Sequence, residues 1–469
     1  MLFFLLLPAL IIFVVSFIKQ EKPHHILAYV SFLVIIPTTQ LLLIDKPYAL
    51  WGDYLVVDKI NAYVLFISSV VAIAVSLSLL TLDKHVSITK VAYRRFYRAF
   101  STFWIGLIFS IMANNMGIYW IGLELATLST VYMIQTNTTR GAVKETWNYL
   151  IVGTIAISLI LFGIILIYSS AKPTLGEEAM SFSLLLAHAN EIDAPYLFEI
   201  GFAIVSIGMF IKMGFFPMNL WLANVERASF YPVAALLSGI LESAIIMGFF
   251  RFSKIAMEIN QTHLVIFVFS YMILTLFVVS FLIYRTKDFM RLFSLSGVEH
   301  MALIVLFWVS GGVFPALLHF GAHAFLKPAL FLSTGVLESN GKYRIAGALR
   351  GYSGKKGKLF WILVSLFLLG LISLPPSPMF FSELYGFSAM VDIAKESKHM
   401  IAMLGAIFII LLLLSIIFYK FVEVSQSMKY EGELLEKKVY WNELLALLLF
   451  AVSLLVLLSP PVIDYLKGI

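Results

Sequence analysis

Nine ionisable side chains stand inside strongly apolar stretches of this 469-residue chain: Glu124, Lys212, Glu242, Glu299, His300, His319, His323, Lys327 and Glu383. A charge at the centre of a bilayer costs at least ~2.5–3.5 kcal/mol on insertion scales, so each needs a partner, a wetted cavity or a task. Glu124 sits in YWIGLELATLST, among small and hydroxyl residues. At 1.5 Å per residue it is roughly 13 Å deep in its span, and Lys212 lies at similar depth. A carboxylate and an amine so placed can pass a proton between them, or they can lock the bundle as a structural ion pair. His319, His323 and Lys327 recur every fourth residue and share one helix stripe. Imidazole titrates near neutral pH, so the stripe suits a hydrated proton path. Histidines simply bonded to neighbouring helices are the alternative. A zinc reading of H-x-x-x-H is weak without the glutamate of H-E-x-x-H, and no metal site is expected. Glu299 and His300 are adjacent and point roughly 100° apart on a helix. Glu242, with Ser243, and Glu383 complete the candidate ion-translocation set.

Catalytic motifs are missing. The sequence has no P-loop, no G-x-S-x-G and no dinucleotide-binding glycine pattern, so no catalytic residue is assigned. It has no cysteine, which excludes disulfides, iron–sulfur ligation and zinc thiolates within the chain. KKGK at 355–358 reads as a cytoplasmic basic loop, not a nucleic-acid patch. Residues 171–195 read as an outer amphipathic loop without chemistry.

The elements that must hold these groups are membrane helices. The chain is 61% hydrophobic and 13% charged, with a mean hydropathy of +0.95. Apolar runs of roughly 20 residues, long enough to cross ~30 Å of hydrocarbon, recur throughout. Spans are expected near 2–18, 26–44, 60–82, 98–113, 116–136, 146–169, 196–222, 229–250, 263–284, 290–309, 312–336, 359–374, 399–419 and 440–463. The opening MLFFLLLPALIIFVVSF lacks a basic n-region and a cleavage site, so it reads as a first span. Of the 33 Lys and Arg residues, 23 fall in odd-numbered loops or, for Arg98 and Arg291, at the span end beside one, and 8 in even-numbered loops or the C-terminus. The positive-inside rule then puts odd loops in the cytoplasm and both termini outside.

Two of these spans carry strong helix breakers. The seventh holds Lys212 and Pro217; the twelfth holds Pro375, Pro376 and Pro378, with 377–394 as its second half and Glu383 within it. Interior proline removes a hydrogen bond and clashes with the preceding turn. In membranes such breaks persist where they line a cavity. They lie five spans apart and so cross in opposite directions, the pattern of an inverted repeat. The expectation is an all-α polytopic membrane protein of about 14 helices. Residues 1–97 hold helices 1–3, 98–255 the first five-helix repeat, 256–425 the second and 426–469 helix 14.

The order of these landmarks resembles a known family, the antiporter-like ion-pumping subunits of respiratory complex I, Mrp-type sodium/proton antiporters and group 4 membrane-bound hydrogenases. The resemblance covers roughly residues 100–390. The family's K-x-P-x-x-P-F-H-x-W-L-P-D-A-H-x-x-A-P-x-P-V-S-A-L-L pattern aligns through Lys212, Pro217, Trp221, Leu222, Pro232, Val233, Ala235, Leu236 and Leu237, followed by Gly239 and Arg251-Phe252. Its fifth-helix glutamate falls on Glu124. Its H-A-x-x-K-x-x-L-F-L element falls on His323, Ala324, Lys327, Leu330, Phe331 and Leu332, and its twelfth-helix charged residue on Glu383. The chain departs at Ala223, Asn224 and Glu226, where the family has proline, aspartate and histidine. Ser243 stands where complex I subunits carry an eighth-helix lysine, with Glu242 beside it. RLFSLSGVEHMALI is closer to hydrogenase-type members. The chain ends after the fourteenth expected span, without the long lateral helix of some relatives.

The resemblance implies proton or sodium translocation in a redox-driven complex of the plasma membrane. Cofactors are then expected in partner subunits only, as iron–sulfur clusters with or without nickel–iron. Its partners would be other membrane subunits, a cytoplasmic redox arm and the lipid bilayer, with no nucleic acid. An Mrp-type antiporter subunit without a redox partner and a non-conducting structural subunit are the alternatives. Lys327 and Glu383 are expected to pair at the second break.

Overall fold

The computed structural model describes residues 2–17, 33–82, 90–137, 139–339, 354–397, 399–426 and 439–469. The expected second span, 26–44, lies partly outside them. In chain order the first elements are α1 (Leu2–Val15), α2 (Ile35–Leu41), and the short hairpin β1 (Tyr48–Leu50) and β2 (Leu55–Val57). Helices α3 (Lys59–Leu79), α4 (Lys90–Met112), α5 (Met116–Ile134), α6 (Arg140–Leu175) and α7 (Phe182–Ala187) follow. Next come α8 (Pro195–Lys212), α9 (Asn219–Ala228), α10 (Tyr231–Leu236), a π-helical turn at Leu237–Leu241, and α11 (Glu242–Arg285). The remainder comprises α12 (Phe289–Val309), α13 (Val313–Ser339), α14 (Gly354–Leu371), α15 (Pro378–Glu396), α16 (Met400–Gln426), α17 (Trp441–Leu457) and α18 (Pro460–Lys467).

Among the described residues eight helices are long and apolar enough to cross a membrane, or nine with the α17–α18 pair bent by 62°. The protein is a multi-span helical membrane protein. One candidate extends from Tyr231 to Arg285, 55 residues, across a kink. At 1.5 Å per residue that is roughly 80 Å, far more than one ~30 Å crossing. Its backbone leaves helical geometry at Asn260 (φ −158°, ψ 86°), between the eighth and ninth expected spans. The 171–195 segment is built from α7 and two short 3₁₀ turns.

Two compact units emerge from the packing. The first comprises residues 1–69, 91–225 and 241–271, the second 70–90, 226–240 and 272–469. In the first, α6 and α8 pack backbone against backbone. A Cβ built on Gly163 would lie 2.6 Å from the Gly201 carbonyl oxygen, and one on Gly208 would lie 2.7 Å from that of Ala156. Small residues allow this approach in apolar surroundings, where dispersion holds helices together. It fixes α8, whose last residue is Lys212. In the second unit α12 and α13 are buried throughout their apolar windows. Helices buried all round must turn their polar groups towards one another.

Both expected breaks are present. Met213–Met218 separates α8 from α9, and Ile372–Ser377 separates α14 from α15. Each is six residues long. Each has a left-handed second residue, Gly214 (φ 74°) and Ser373 (φ 54°), and a cis bond before its fifth, Pro217 and Pro376. Their backbone hydrogen bonds also correspond: Phe215 N to Phe210 O and Met218 N to Phe215 O in one, Leu374 N to Leu369 O and Ser377 N to Leu374 O in the other. Ser377 then caps α15 by accepting from Phe380 N, and Pro378 occupies its first turn, where a missing N–H costs nothing.

Candidate functional site

The polar groups of the first unit gather around the end of α8. Lys212, 4% exposed, donates a hydrogen bond to Thr127 Oγ1 of α5. Thr127 in turn donates to the carbonyl of Leu123 at 2.7 Å. Glu124 lies three residues before Thr127, on the same helix face, within electrostatic reach of Lys212. Among the described residues no ion pair closer than 4.0 Å joins the two. Glu124 Oε2 is buried without a hydrogen-bond partner there. A narrow cleft beside the ammonium is lined by Tyr149, Gly153, Lys212, Trp221 and Leu241. Tyr149 stacks on Trp221 with centroids 5.2 Å apart, and its hydroxyl lies 2.7 Å from Thr130 Oγ1. Trp221 Nε1 donates to the carbonyl of Ile211, tying α9 back to the end of α8. Glu242 and Ser243, both buried, open α11 directly after the π turn. Such turns recur at functional sites because they widen the helix and redirect side chains.

The second unit assembles a longer series. Lys327, fully buried in α13, donates to Ser296 Oγ of α12 at 2.9 Å, and its ammonium lies 5.5 Å from the Phe331 ring centre. Glu299 lies three residues after Ser296, within electrostatic reach of both Lys327 and Glu383. Glu299 Oε2 is 3.6 Å from His300 Nε2. His300 Nδ1 is 3.2 Å from His319 Nε2, and His319 Nδ1 is 2.8 Å from Ser382 Oγ. The His323 ring centre is 5.9 Å from that of His300. Ser373 donates to Glu383 Oε1, so the left-handed residue of the second break contacts its carboxylate.

Eight of the nine expected residues lie in the polar groups described for one unit or the other, and Glu242 is buried at the start of α11. Lys212 and Glu124 lie within electrostatic reach without a shared hydrogen bond: Lys212 bonds Thr127, whose hydroxyl donates to the Leu123 carbonyl. The expected pairing of Lys327 with Glu383 takes a different form, because Glu299 faces both groups and Glu383 is taken up by Ser373. The hydroxyls of Thr127, Ser296, Ser373 and Ser382 escaped sequence reasoning. Serine and threonine usually bond their own helix backbone, so type alone does not single them out. Glu226 was visible only as a departure from the family pattern. It is 1% exposed and faces Lys327 and Ser294.

Residues 113–409 match the family model described as "NADH:quinone oxidoreductase/Mrp antiporter, TM". The chain is 30% identical over 343 residues to a hydrogenase-4 component F homolog of Methylacidiphilum infernorum, covering 71% of each. It is 25% identical over 391 residues to an NADH-quinone oxidoreductase subunit N of Azobacteroides pseudotrichonymphae, covering 80% of this chain and 76% of that one. Its fold superposes on a chain of the membrane-bound sulfane sulfur reductase, an archaeal respiratory membrane complex, with a TM-score of 0.85 at 19% identity, covering 99% of this chain and 95% of that one. A chain of the Mrp complex from a Dietzia species gives a TM-score of 0.83 at 15% identity, with the same coverage. With its buried lysines, broken helices and matched model, the chain belongs to the NADH:quinone oxidoreductase/Mrp antiporter transmembrane family.

Proposed function

We propose that this chain translocates protons or sodium ions as an antiporter-like membrane subunit of a redox-driven, hydrogenase-like complex. One observation carries the reading. Each unit holds a buried lysine bonded to a hydroxyl, with a carboxylate three residues from that hydroxyl on the same helix: Lys212, Thr127 and Glu124 in one, Lys327, Ser296 and Glu299 in the other. A lysine held by a hydroxyl with a carboxylate one turn away can exchange an ion without the strong, static contact of a direct salt bridge. Buried ion pairs of that direct kind are poor evidence for anything but structure.

The corresponding hydrogen bonds of the two breaks support a fourteen-span architecture of two inverted repeats, 98–255 and 256–425, flanked by 1–97 and 426–469. In this reading Glu124 and Lys212 serve the first half-channel. Lys327, Glu299, His300, His319, His323 and Glu383 serve the second, and Glu242 stands at the start of α11. The hydrogenase-4 relative favours a redox complex, whose iron–sulfur and nickel–iron centres would lie in partner subunits of the plasma membrane. The Mrp likeness favours the second reading, an antiporter subunit without a redox arm. Purifying the native complex from its membrane tests the choice. Co-purifying subunits that carry nickel and iron support the first reading, and a metal-free assembly with sodium/proton exchange supports the second.

A further inference from the structure

We propose that His300 Nδ1, His319 Nε2 and the Glu383 carboxylate form a binding site for a divalent transition-metal ion of the zinc class. Their ligand atoms all lie within 4.8 Å of one another, the one such group among the described residues. Zinc binds imidazole nitrogen at ~2.0–2.1 Å in tetrahedral geometry, which puts neighbouring ligand atoms roughly 3.3 Å apart. The two imidazole nitrogens are already 3.2 Å apart. Without metal that separation is bridged by one N–H proton; an ion would replace that proton and draw in the carboxylate.

The surroundings suit the exchange. A ligating histidine ordinarily bonds through its other ring nitrogen to an oxygen that fixes its orientation. His319 does so through Nδ1, 2.8 Å from Ser382 Oγ, and Ser382 donates onward to the Met379 carbonyl at 2.7 Å. His300 turns Nε2 to within 3.6 Å of Glu299. The Lys327 ammonium disfavours a second cation nearby, and Glu299, which faces the lysine, offsets part of that charge. Both histidines are buried, whereas Glu383 is half-buried. Water supplies a fourth ligand, as in zinc sites that keep an open position. That the ion would also obstruct translocation rests on the proposed function; the site itself does not.

The test uses the intact complex, stripped with a chelator and re-equilibrated with zinc chloride alone. Zinc per complex is compared between parent and variants, with X-ray absorption reporting the ligands. The parent should hold one tightly bound zinc with two imidazoles that His319→Gln or Glu383→Gln removes. Ser382→Ala leaves every ligand in place and should weaken zinc by about 10–100-fold. The exposed pairs His188–Glu191 and His263–Glu199 are the competing surface sites. His188→Gln and His263→Gln should leave the tight zinc untouched. Equal zinc in the parent and in both Ser382→Ala and Glu383→Gln overturns the site, as does a parent without tight zinc. If zinc binds as described but gradient formation is unaffected, the site stands and the proposed path through it fails.

Discussion

Lys327 donates to Ser296 at 2.9 Å, and the nearest carboxylate of that helix, Glu299, stands one turn further along it. Lys212 makes the matching contact with Thr127, but there Glu124 stands one turn earlier. Each unit thus holds a lysine, a hydroxyl and a carboxylate, with the order of hydroxyl and carboxylate along the helix reversed. If the hydroxyl is the relay, its removal should slow ion transfer and leave assembly intact. A hydrogen bond to a charged group is worth about 1.5–3 kcal/mol, so Thr127→Val and Ser296→Ala should each lower the initial rate of gradient formation roughly tenfold to a hundredfold. Membrane vesicles with either variant provide the measurement, and an unchanged rate at normal subunit content would remove the hydroxyls from the path.

The charged members should matter more. Lys212→Ala and Glu124→Gln are expected to abolish gradient formation while the partner enzyme keeps most of its turnover. Both groups are needed for a proton to have a donor and an acceptor at mid-membrane. Turnover and gradient are to be measured in the same vesicles. A normal gradient in either variant refutes the role, and loss of the assembled complex points to a structural contact instead.

Much of this site was legible from residue type and depth. Lys212, Lys327 and Glu124 stand out because hydrocarbon tolerates few charges, and the proline breaks because backbone groups need partners. The membrane-spanning character follows from composition. The partners of the charges were less legible. Ser373 reaches Glu383 from a left-handed position in the break, which only the folded backbone reveals. Glu299 stands beside His300 in sequence, yet it faces Lys327 and Glu383, because helix packing, not spacing along the chain, decides what meets across α12 and α13. The run from Tyr231 to Arg285 was read as two spans with a loop; the turn at Asn260 needs no run of loop residues.

Orientation follows from charge. With 23 Lys and Arg residues in or beside odd loops against 8 in even loops or the C-terminus, Lys355 is expected in the cytoplasm and Lys172 outside. The natural absence of cysteine makes single-cysteine labelling clean. In intact cells Lys172→Cys should react with an impermeant thiol reagent and Lys355→Cys should react only after the membrane is opened. The opposite pattern would invert the topology and move both termini inside.

In the proposed path Glu383, beyond the break, is the exit group of the second unit. Glu383→Gln keeps the size of the side chain and can still accept from Ser373. It should leave the complex assembled and reduce the ions moved per turnover. The ratio of gradient to turnover reads this directly, and an unchanged ratio excludes Glu383 as an exit group.

Glu226 carries the sharpest prediction, because it stands where the family pattern has histidine. Arg227 Nη2 contacts Asp288 at 3.2 Å, and Asp288 caps α12 by accepting from Arg291 N. Next to Arg227 in sequence, Glu226 is buried and faces Ser294 and Lys327. A histidine can both hold and release a proton there, and so can a carboxylate facing an ammonium. Glu226→Gln cannot. It should reduce gradient formation about as severely as Lys327→Ala, and Glu226→His should restore a substantial part of it. If the carboxylate only neutralises Lys327, the outcome differs: breaking a buried pair costs roughly 3–5 kcal/mol, so Glu226→Gln would deplete the assembled complex, and Glu226→His would not recover it. Subunit content measured beside the gradient separates the two, and recovery by histidine alone identifies Glu226 as a group that titrates during transport.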